Sequence, residues 1–350
     1  MATNTGTTLG MSKNYNENSS KQLAVINSMK PYIYLGIDHL NISPTSSRFI
    51  IADFGSSHGH NSIQAIKIII QYLQQSNKLS TSPLVIHNDL PTNDWTTLFQ
   101  LLAEDNSYHG VANGHSFYQQ CLPSNCVSIG FSSTSIHWLS RIPCQISNYQ
   151  FYTLAAENER QKFKQQAKLD FDAFIEHRAR ELVPGGIFIL SIPGVDHQGI
   201  VSVGRYFELL YTCAQLLFNT KELADFTLPV YFRSLSECID HALFDQCSLQ
   251  LIKAELGEVE ASALQQYRNR QLSLDQLIKT RIKAVQSSME LSLQQVLENN
   301  DRSKEEIDRL LIEFWALYET KLREQSHLFI SDKPSVYGCL ILKKIKVIDN

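Results

Sequence analysis

The stretch Ile50–Asn61, IIADFGSSHGHN, limits the possible fold more than any other. An apolar run closes on Asp53, and Gly55 and Gly59 come next. Asn61 then opens a segment with Ile63, Ile66, Ile69, Ile70 and Leu73 on one helical face. The pattern reads as strand, glycine turn and helix, with Asn61 as the predicted N-cap. Glycines at such a turn let the backbone bend sharply and approach a ligand closely. The turn is neither a Walker loop nor a complete GxGxxG, so its meaning depends on the rest of the chain.

Strand-like and helix-like segments alternate along this part of the chain, with no internal sequence repeat. A strand is predicted over Arg48–Phe54, and a second over Leu84–His87, running into Asn88-Asp89-Leu90-Pro91. Trp95–Leu102 reads as a helix and Val111–Ser116 as a glycine turn. Cys126–Phe131 is strand-like before the serine-rich Ser132–Ser135. Glu157–Leu182 is a long polar helix stopped by Pro184-Gly185-Gly186, and Ile187–Ile192 is the next buried strand. Strands alternating with helices imply parallel βαβ units. The ligand crevice of such a sheet lies at the carboxyl ends of its strands, where Gly55, Asp89 and Ser132 would converge.

The pattern changes after Gly199. Helices are expected over Tyr206–Phe218, Ser234–Phe244, Asp275–Val296 and Lys304–Gln325, and strands over Ser248–Ala254 and Val336–Ile348. Residues 1–22, rich in Asn, Ser and Thr, read as a flexible arm or lid. Ser19–Tyr34 has helical spacing with a break expected near Pro31. The layout is an α/β core over 23–198, 246–260 and 334–350, with a helical cap or substrate region over 199–245 and 261–333.

The 350 residues carry a formal net charge of −4 and no dense Lys/Arg run, so a nucleic-acid backbone is not expected as a partner. The seven cysteines form no CxxC. Reduced thiols in a cytoplasmic protein are the expectation, not a disulfide frame or zinc site. The apolar runs fall short of a membrane span, so no membrane partner is expected.

Several segments, taken together and in this order, resemble the SABATH family of S-adenosylmethionine (SAM)-dependent methyltransferases, most of which act on small carboxylic acids. They are Asn14-Tyr15, Asn18-Ser19 and Gln22; Ala52–Asn61; NDLPTND from Asn88; Asn113–Tyr118; Leu122–Asn125; SSTSIHWLS from Ser132; and Leu182–Gly186. The resemblance covers roughly residues 12–195, and the C-terminal half matches only in layout. It implies a Rossmann-like α/β methyltransferase fold, mixed but mostly parallel, with a helical cap over the active site. It also implies SAM as cofactor, a small-molecule carboxylic acid as substrate, and a homodimer. Asp53 and Gly55 would line the SAM site, with Ser19 and Asn61 near its methionine end. Asp89 would accept from the ribose hydroxyls, Leu90 would lie against adenine, and Ser116 and Phe117 would flank it. Gln22 and Trp138 would hold the substrate carboxylate.

The chemistry of the residues agrees. A carboxylate is already ionised at neutral pH, so its methylation needs alignment and a preorganised site. An amide and an indole N–H orient an anion without a tight ion pair. Read alone, Asp53 and Asp89 are also turn formers, Trp138 is also core packing, and His137 is as readily a buried histidine as a substrate contact. Tyr231 and Phe232 are the C-terminal aromatics placed nearest the substrate.

This chain also departs from the family pattern. Ser56 stands where cysteine is usual, Asn14 where serine is usual, and Thr134 where plant members carry tyrosine. Thr134 is expected to enlarge the pocket for an aliphatic or otherwise non-aryl acid. The Ala224–Thr227 segment lacks the family's magnesium-site pattern, so no metal is predicted. Three other readings stand beside carboxyl methylation. They are methylation of a ring nitrogen, in which His137 would matter more, a catalytically silent SAM-fold binding protein, and a nicotinamide dehydrogenase. The last is disfavoured by the missing third glycine.

Overall fold

Strand β1 (Ile50–Phe54) is an interior strand of a seven-stranded sheet, and its residues from Ile51 onward are buried. Such a strand needs apolar residues throughout rather than an alternation. The structure is a computed structural model that describes residues 10–42, 49–105, 107–147, 149–331 and 333–346. The other strands are β2 (Leu84–Asp89), β3 (His109–Gly114), β4 (Val127–Ser133), β5 (Leu182–Pro193), β6 (Leu249–Val259) and β7 (Ser335–Lys344). Their order is β3-β2-β1-β4-β5-β7-β6. The first five run parallel, and β7 is antiparallel to both β5 and β6. The order reverses between β1 and β4, and a crevice opens at such a switch point.

Thirteen helices are described. They begin with α1 (Tyr15–Asn18), α2 (Ser20–Ser28), α3 (Lys30–His39), α4 (His60–Gln75), α5 (Trp95–Ala103) and α6 (Glu157–Glu181). The rest are α7 (Gly204–Leu217), α8 (Thr220–Asp225), α9 (His241–Gln246), α10 (Ser262–Arg268), α11 (Leu274–Asn299), α12 (Lys304–Glu324) and α13 (Ser326–Ile330). Helices α2, α3 and α4 cover one face of the sheet through Val25, Ile33, Ile66 and Ile69. Helices α6 and α9 cover the other through Phe171, Phe174 and Phe244. Helices α7, α11 and α12 build a separate core around Leu210, Leu293, Phe314 and Tyr318. No described helix is long and apolar enough to cross a membrane.

Several expectations are corrected. Residues 1–9 of the expected arm lie outside the described residues. Residues 15–18 and 20–22 are helical, and the boundary at 22 falls inside α2. Val111–Ser116 is not only a turn, because β3 pairs with β2 from His109 to Gly114. A half-exposed edge strand with two glycines lacks the apolar run that reveals buried strands. Strand β5 begins at Leu182, directly after α6, and runs through the Pro-Gly-Gly. At Gly185 (φ 85°) an added Cβ would lie 1.9 Å from the Asn41 carbonyl oxygen, so the chain passes there only with glycine.

The helix expected over Ser234–Phe244 is broken into a 3₁₀ turn, Leu235–Cys238, and α9. Ser234 and Asp240 each cap the piece they precede, and a second cap inside a run marks a new start. Asn61 is not the N-cap of α4. That position belongs to Gly59 at φ 98°, and the Asn61 amide instead donates to the Ser19 carbonyl (3.1 Å) and hydroxyl (2.9 Å).

Candidate active site

The carboxyl ends of β1 and β2 are locked together before any ligand is considered. The Gly55 and Ser56 amides both donate to the Asn88 carbonyl (2.9 and 3.0 Å). The Ser57 amide donates to Asp89 Oδ2 (2.7 Å) and the Leu90 amide to Oδ1 (2.8 Å). Asn93 closes the ring by donating to the Ser57 carbonyl (2.7 Å). Asn88 donates outward to Asn113 Oδ1 (2.9 Å) and to the His115 carbonyl (2.9 Å). Asp94 caps α5 through Thr97. Each polar residue of NDLPTND except Thr92 thus has an identified task. The Asp89 carboxylate is held by two backbone N–H donors, and its remaining lone pairs are available to a ligand.

A cavity of about 260 Å³ opens over this edge. Gly55, Ser57, Asp89, Leu90, Ser116 and Phe117 line one end, and Gln22, Thr134, His137, Trp138 and Phe232 line another part of the same wall. Helices α7 and α11 supply the roof, with Tyr206, Phe207, Ala284, Val285 and Met289. A smaller recess beside it is lined by Asp53, Gly55, Ser56, Ser57, Asn61 and Ser133. Ser19 lines neither cavity, since it is buried behind Asn61. Ser132 turns away as well and donates to the Phe54 carbonyl (2.6 Å).

Tyr231 is not a cavity residue. Its hydroxyl donates to Glu237 (2.9 Å) and its ring lies against Tyr152, while the next residue, Phe232, faces the cavity. Residues 230–232 run extended beside Trp138, where Val230 bridges it, and neighbours on an extended chain point to opposite sides. Sequence reasoning also missed Tyr15, Lys21, Tyr118 and the lining of α11. Tyr15 carries a usable signal because it sits in the NYNENS motif. Its buried hydroxyl is hydrogen-bonded to the Gln22 side chain, and burial keeps it protonated. Nothing in the periodicity of α11 says which of its faces roofs a cavity.

The electrostatics are set by burial. Desolvation raises Asp53 to about 7, with a lowering contribution from Ser62 and a raising one from Asp89. Burial also raises Asp89, against the two amides that hold it. His137 is pushed down to about 3 by burial, with Arg233 and Lys21 adding to the effect, so it is neutral at physiological pH. Around Asp53 the buried side-chain oxygens of Ser56, Ser57, Asn61 and Ser133 have no hydrogen-bond partner among the described residues. Unsatisfied buried polar atoms are rare in folded chains. These oxygens, gathered around a carboxyl group in one recess, fit the ammonium and carboxylate of an amino-acid moiety, and the Asp89 carboxylate above them fits a diol.

A sheet of this order with these groups at its switch point defines the Rossmann-like SAM-dependent methyltransferase class. Residues 4–330 match the family of SAM dependent carboxyl methyltransferases, and the chain belongs to that SABATH family. It is 33% identical over 266 residues to salicylate carboxymethyltransferase of Clarkia breweri, covering 70% of this chain and 74% of that protein. It is 30% identical over 247 residues to farnesoic acid carboxyl-O-methyltransferase of Arabidopsis thaliana, covering 64% and 70%. The structure of a loganic acid methyltransferase with SAH superposes with a TM-score of 0.80 at 22% identity, over 96% of this chain and 97% of that one, a likeness of fold. The enzyme is thus a SAM-dependent carboxyl methyltransferase.

The Asp53 shift has a consequence for cofactor binding. A cationic amino group placed in this recess would favour the ionised carboxylate, and its binding would release the proton that part of the free enzyme carries on Asp53 near neutral pH. Affinity for SAM is then expected to be full above pH 7 and to fall about tenfold per unit as pH drops below it. Calorimetry from pH 5.5 to 8.5 checks the slope, and Asp53→Asn is expected to flatten it.

Proposed function

We propose that the recess around Asp53 and the Gly55–Asp89 end of the cavity hold SAM, and that Gln22 and Trp138 hold the acceptor carboxylate beside it. The observation that carries this reading is the shared cavity in which these two groups of residues meet. Asp53, Gly55 and Asn61 would contact the methionine end, Asp89 the ribose, and Leu90, Ser116 and Phe117 the adenine. Ser19 acts only by holding the Asn61 amide. When bound, SAM supplies an electrophilic methyl group on its sulfonium. The chain's own residues orient the acceptor, exclude water beneath the α7–α11 roof, and leave the carboxylate's nucleophilic lone pair uncovered.

This reading is tested by titrating SAH into the wild type and Asp89→Ala. Hydrogen bonds to a charged group contribute about 1.5–3 kcal/mol each, so affinity is expected to fall by about 100-fold in the variant. Unchanged binding would overturn the assignment. Methylation of a ring nitrogen needs a proton to leave, and a His137 pushed to about 3 is too weak a base to take it at neutral pH. Carboxyl transfer needs no such base.

The acceptor is proposed to be an aliphatic or isoprenoid-type acid. Val203, Phe207, Ala263, Ala284, Val285 and Met289 give the roof side an apolar surface, and Thr134 puts a small side chain on the opposite wall. Thr134 is held at φ 57°, unusual for a β-branched residue, by its amide on the Ser191 carbonyl (2.9 Å). Thr134→Tyr is expected to lower turnover of chain-like acids relative to aryl acids at least tenfold in a competition assay. An unchanged ratio would contradict the proposal.

The division into the core over 23–198, 246–260 and 334–350 and the cap over 199–245 and 261–333 is kept as a proposal, with α9 moved to the core side because Leu243 and Phe244 pack there. A homodimer rests on the family likeness and is tested by sedimentation. The free state of all seven cysteines fits a reducing, cytoplasmic setting.

A further inference from the structure

The last turn of α6 carries an ion pair that cofactor and acceptor chemistry leave unused. Arg178 and Glu181 each have a side chain only 1% exposed, with Arg178 Nε 2.8 Å from Glu181 Oε2. An ion pair so deep contributes little to stability by itself, because desolvation offsets its attraction. Its partners indicate another role. Arg178 donates from Nη1 to the Phe117 carbonyl (3.0 Å) and from Nη2 to the Gln119 carbonyl (2.9 Å). Glu181 Oε1 accepts from the Cys121 amide (2.6 Å) and the Leu122 amide (2.9 Å). The guanidinium lies 3.9 Å from the ring centre of Phe54, the residue before Gly55.

Residues 116–122 form no helix or strand, so these four bonds stand where a hydrogen-bonded ladder would otherwise fix them. The same segment reaches the acceptor side. The Tyr118 hydroxyl donates to the Trp138 carbonyl (2.6 Å) and lies 3.3 Å from that of Ile136. A chain of contacts therefore runs from Arg178 through Phe117 and Tyr118 to the backbone of the indole proposed to hold the carboxylate.

We infer that Arg178 and Glu181 are a positioning pair that sets the height of the Ser116–Tyr118 wall against the cofactor and, through Tyr118, keeps Trp138 in register with it. The inference rests on the assignment of Ser116 and Phe117 to the cofactor's adenine side. Lysine cannot replace this arginine, since one ammonium cannot span two carbonyls and a carboxylate in a planar fork.

Positioning and stability are separated by comparing three variants in melting temperature and SAH titration. They are Arg178→Lys, the double variant Arg178→Met/Glu181→Gln and the reference Leu73→Ala, buried at the far end of α4. Arg178→Lys is expected to weaken SAH binding at least tenfold. Leu73→Ala is expected to lose comparable melting temperature and keep its affinity. The double variant, with no unpaired buried charge, is expected to melt closer to wild type and still bind SAH poorly. Tyr118→Phe keeps the ring in the wall and removes only the hydroxyl on the Trp138 carbonyl; it is expected to lose at least fivefold in kcat, and wild-type kcat would overturn the link to Trp138. Affinity that merely tracks melting temperature across the set, or wild-type affinity in Arg178→Lys, would overturn the inference. If Asp89→Ala also bound SAH normally, the cofactor assignment itself would have failed rather than the positioning role.

Discussion

Gly55→Ala is expected to abolish measurable SAH binding and reduce turnover by at least about 100-fold. The residue sits at φ 98°, where any Cβ is strained by about 1–3 kcal/mol. Strain is the smaller part of the effect. The added Cβ would lie 2.0 Å from Ser135 Oγ and 2.5 Å from Ser135 Cβ, so a rotamer change cannot relieve the clash. Ser135 is itself buried, with its hydroxyl on the Ser133 carbonyl (3.0 Å). Displacing it moves Thr134 and Trp138, whose amide is bonded to the Ser135 carbonyl (3.1 Å). One methyl group therefore disturbs cofactor and acceptor sides together. Gly199 offers the control, at φ 77° with nothing within 4 Å of a built Cβ. Gly199→Ala is expected to lose only a little melting temperature, with SAH affinity unchanged. Normal affinity in Gly55→Ala would show that the turn is not part of the cofactor site.

Trp138→Phe and Gln22→Leu are each expected to lower kcat/KM for the acceptor about 10- to 100-fold while leaving SAH affinity within twofold. Each change removes one N–H proposed to orient the acceptor carboxylate, and misalignment of reacting groups by about 1 Å costs up to roughly 100-fold in rate. Phenylalanine keeps most of the ring that packs in the cap-side core, and the bridge between Trp138 and Val230 is backbone, so folding is expected to survive. Gln22→Leu also removes the partner of the Tyr15 hydroxyl. That loss makes Trp138→Phe the cleaner of the two. Wild-type kcat/KM in both variants would remove these residues from the acceptor site.

The sheet core is legible in the sequence because β1, β2, β4 and β5 are buried runs with a breaker or polar cluster at their carboxyl ends, and such runs follow from burial alone. Strand β3 is not, because at a sheet edge its residues need not be apolar. Asp53, Gly55 and Asp89 stand out because each is a carboxylate or a glycine that abruptly closes an apolar strand. Tyr231 and Phe232 are both aromatic, and only the pairing of Val230 with Trp138 decides which of them faces inward. The pair Arg178 and Glu181 reads as ordinary helix-surface charge, spaced three apart on a polar helix. Their role depends on a loop some 60 positions earlier in the chain, and no local pattern records that.

The central claim is that one cavity brings SAM to an ionised carboxylate. The most direct measurement is to incubate the enzyme with methyl-labelled SAM and a mixed panel of aliphatic, isoprenoid and aryl acids, heterocyclic amines and phenols, and to identify each labelled product by mass spectrometry and alkaline hydrolysis. Label is predicted in base-labile methyl esters, and at limiting SAM is predicted to fall at least about tenfold when Asp89→Ala replaces the wild type. Label on nitrogen, or label equally abundant with Asp89→Ala, would contradict the claim.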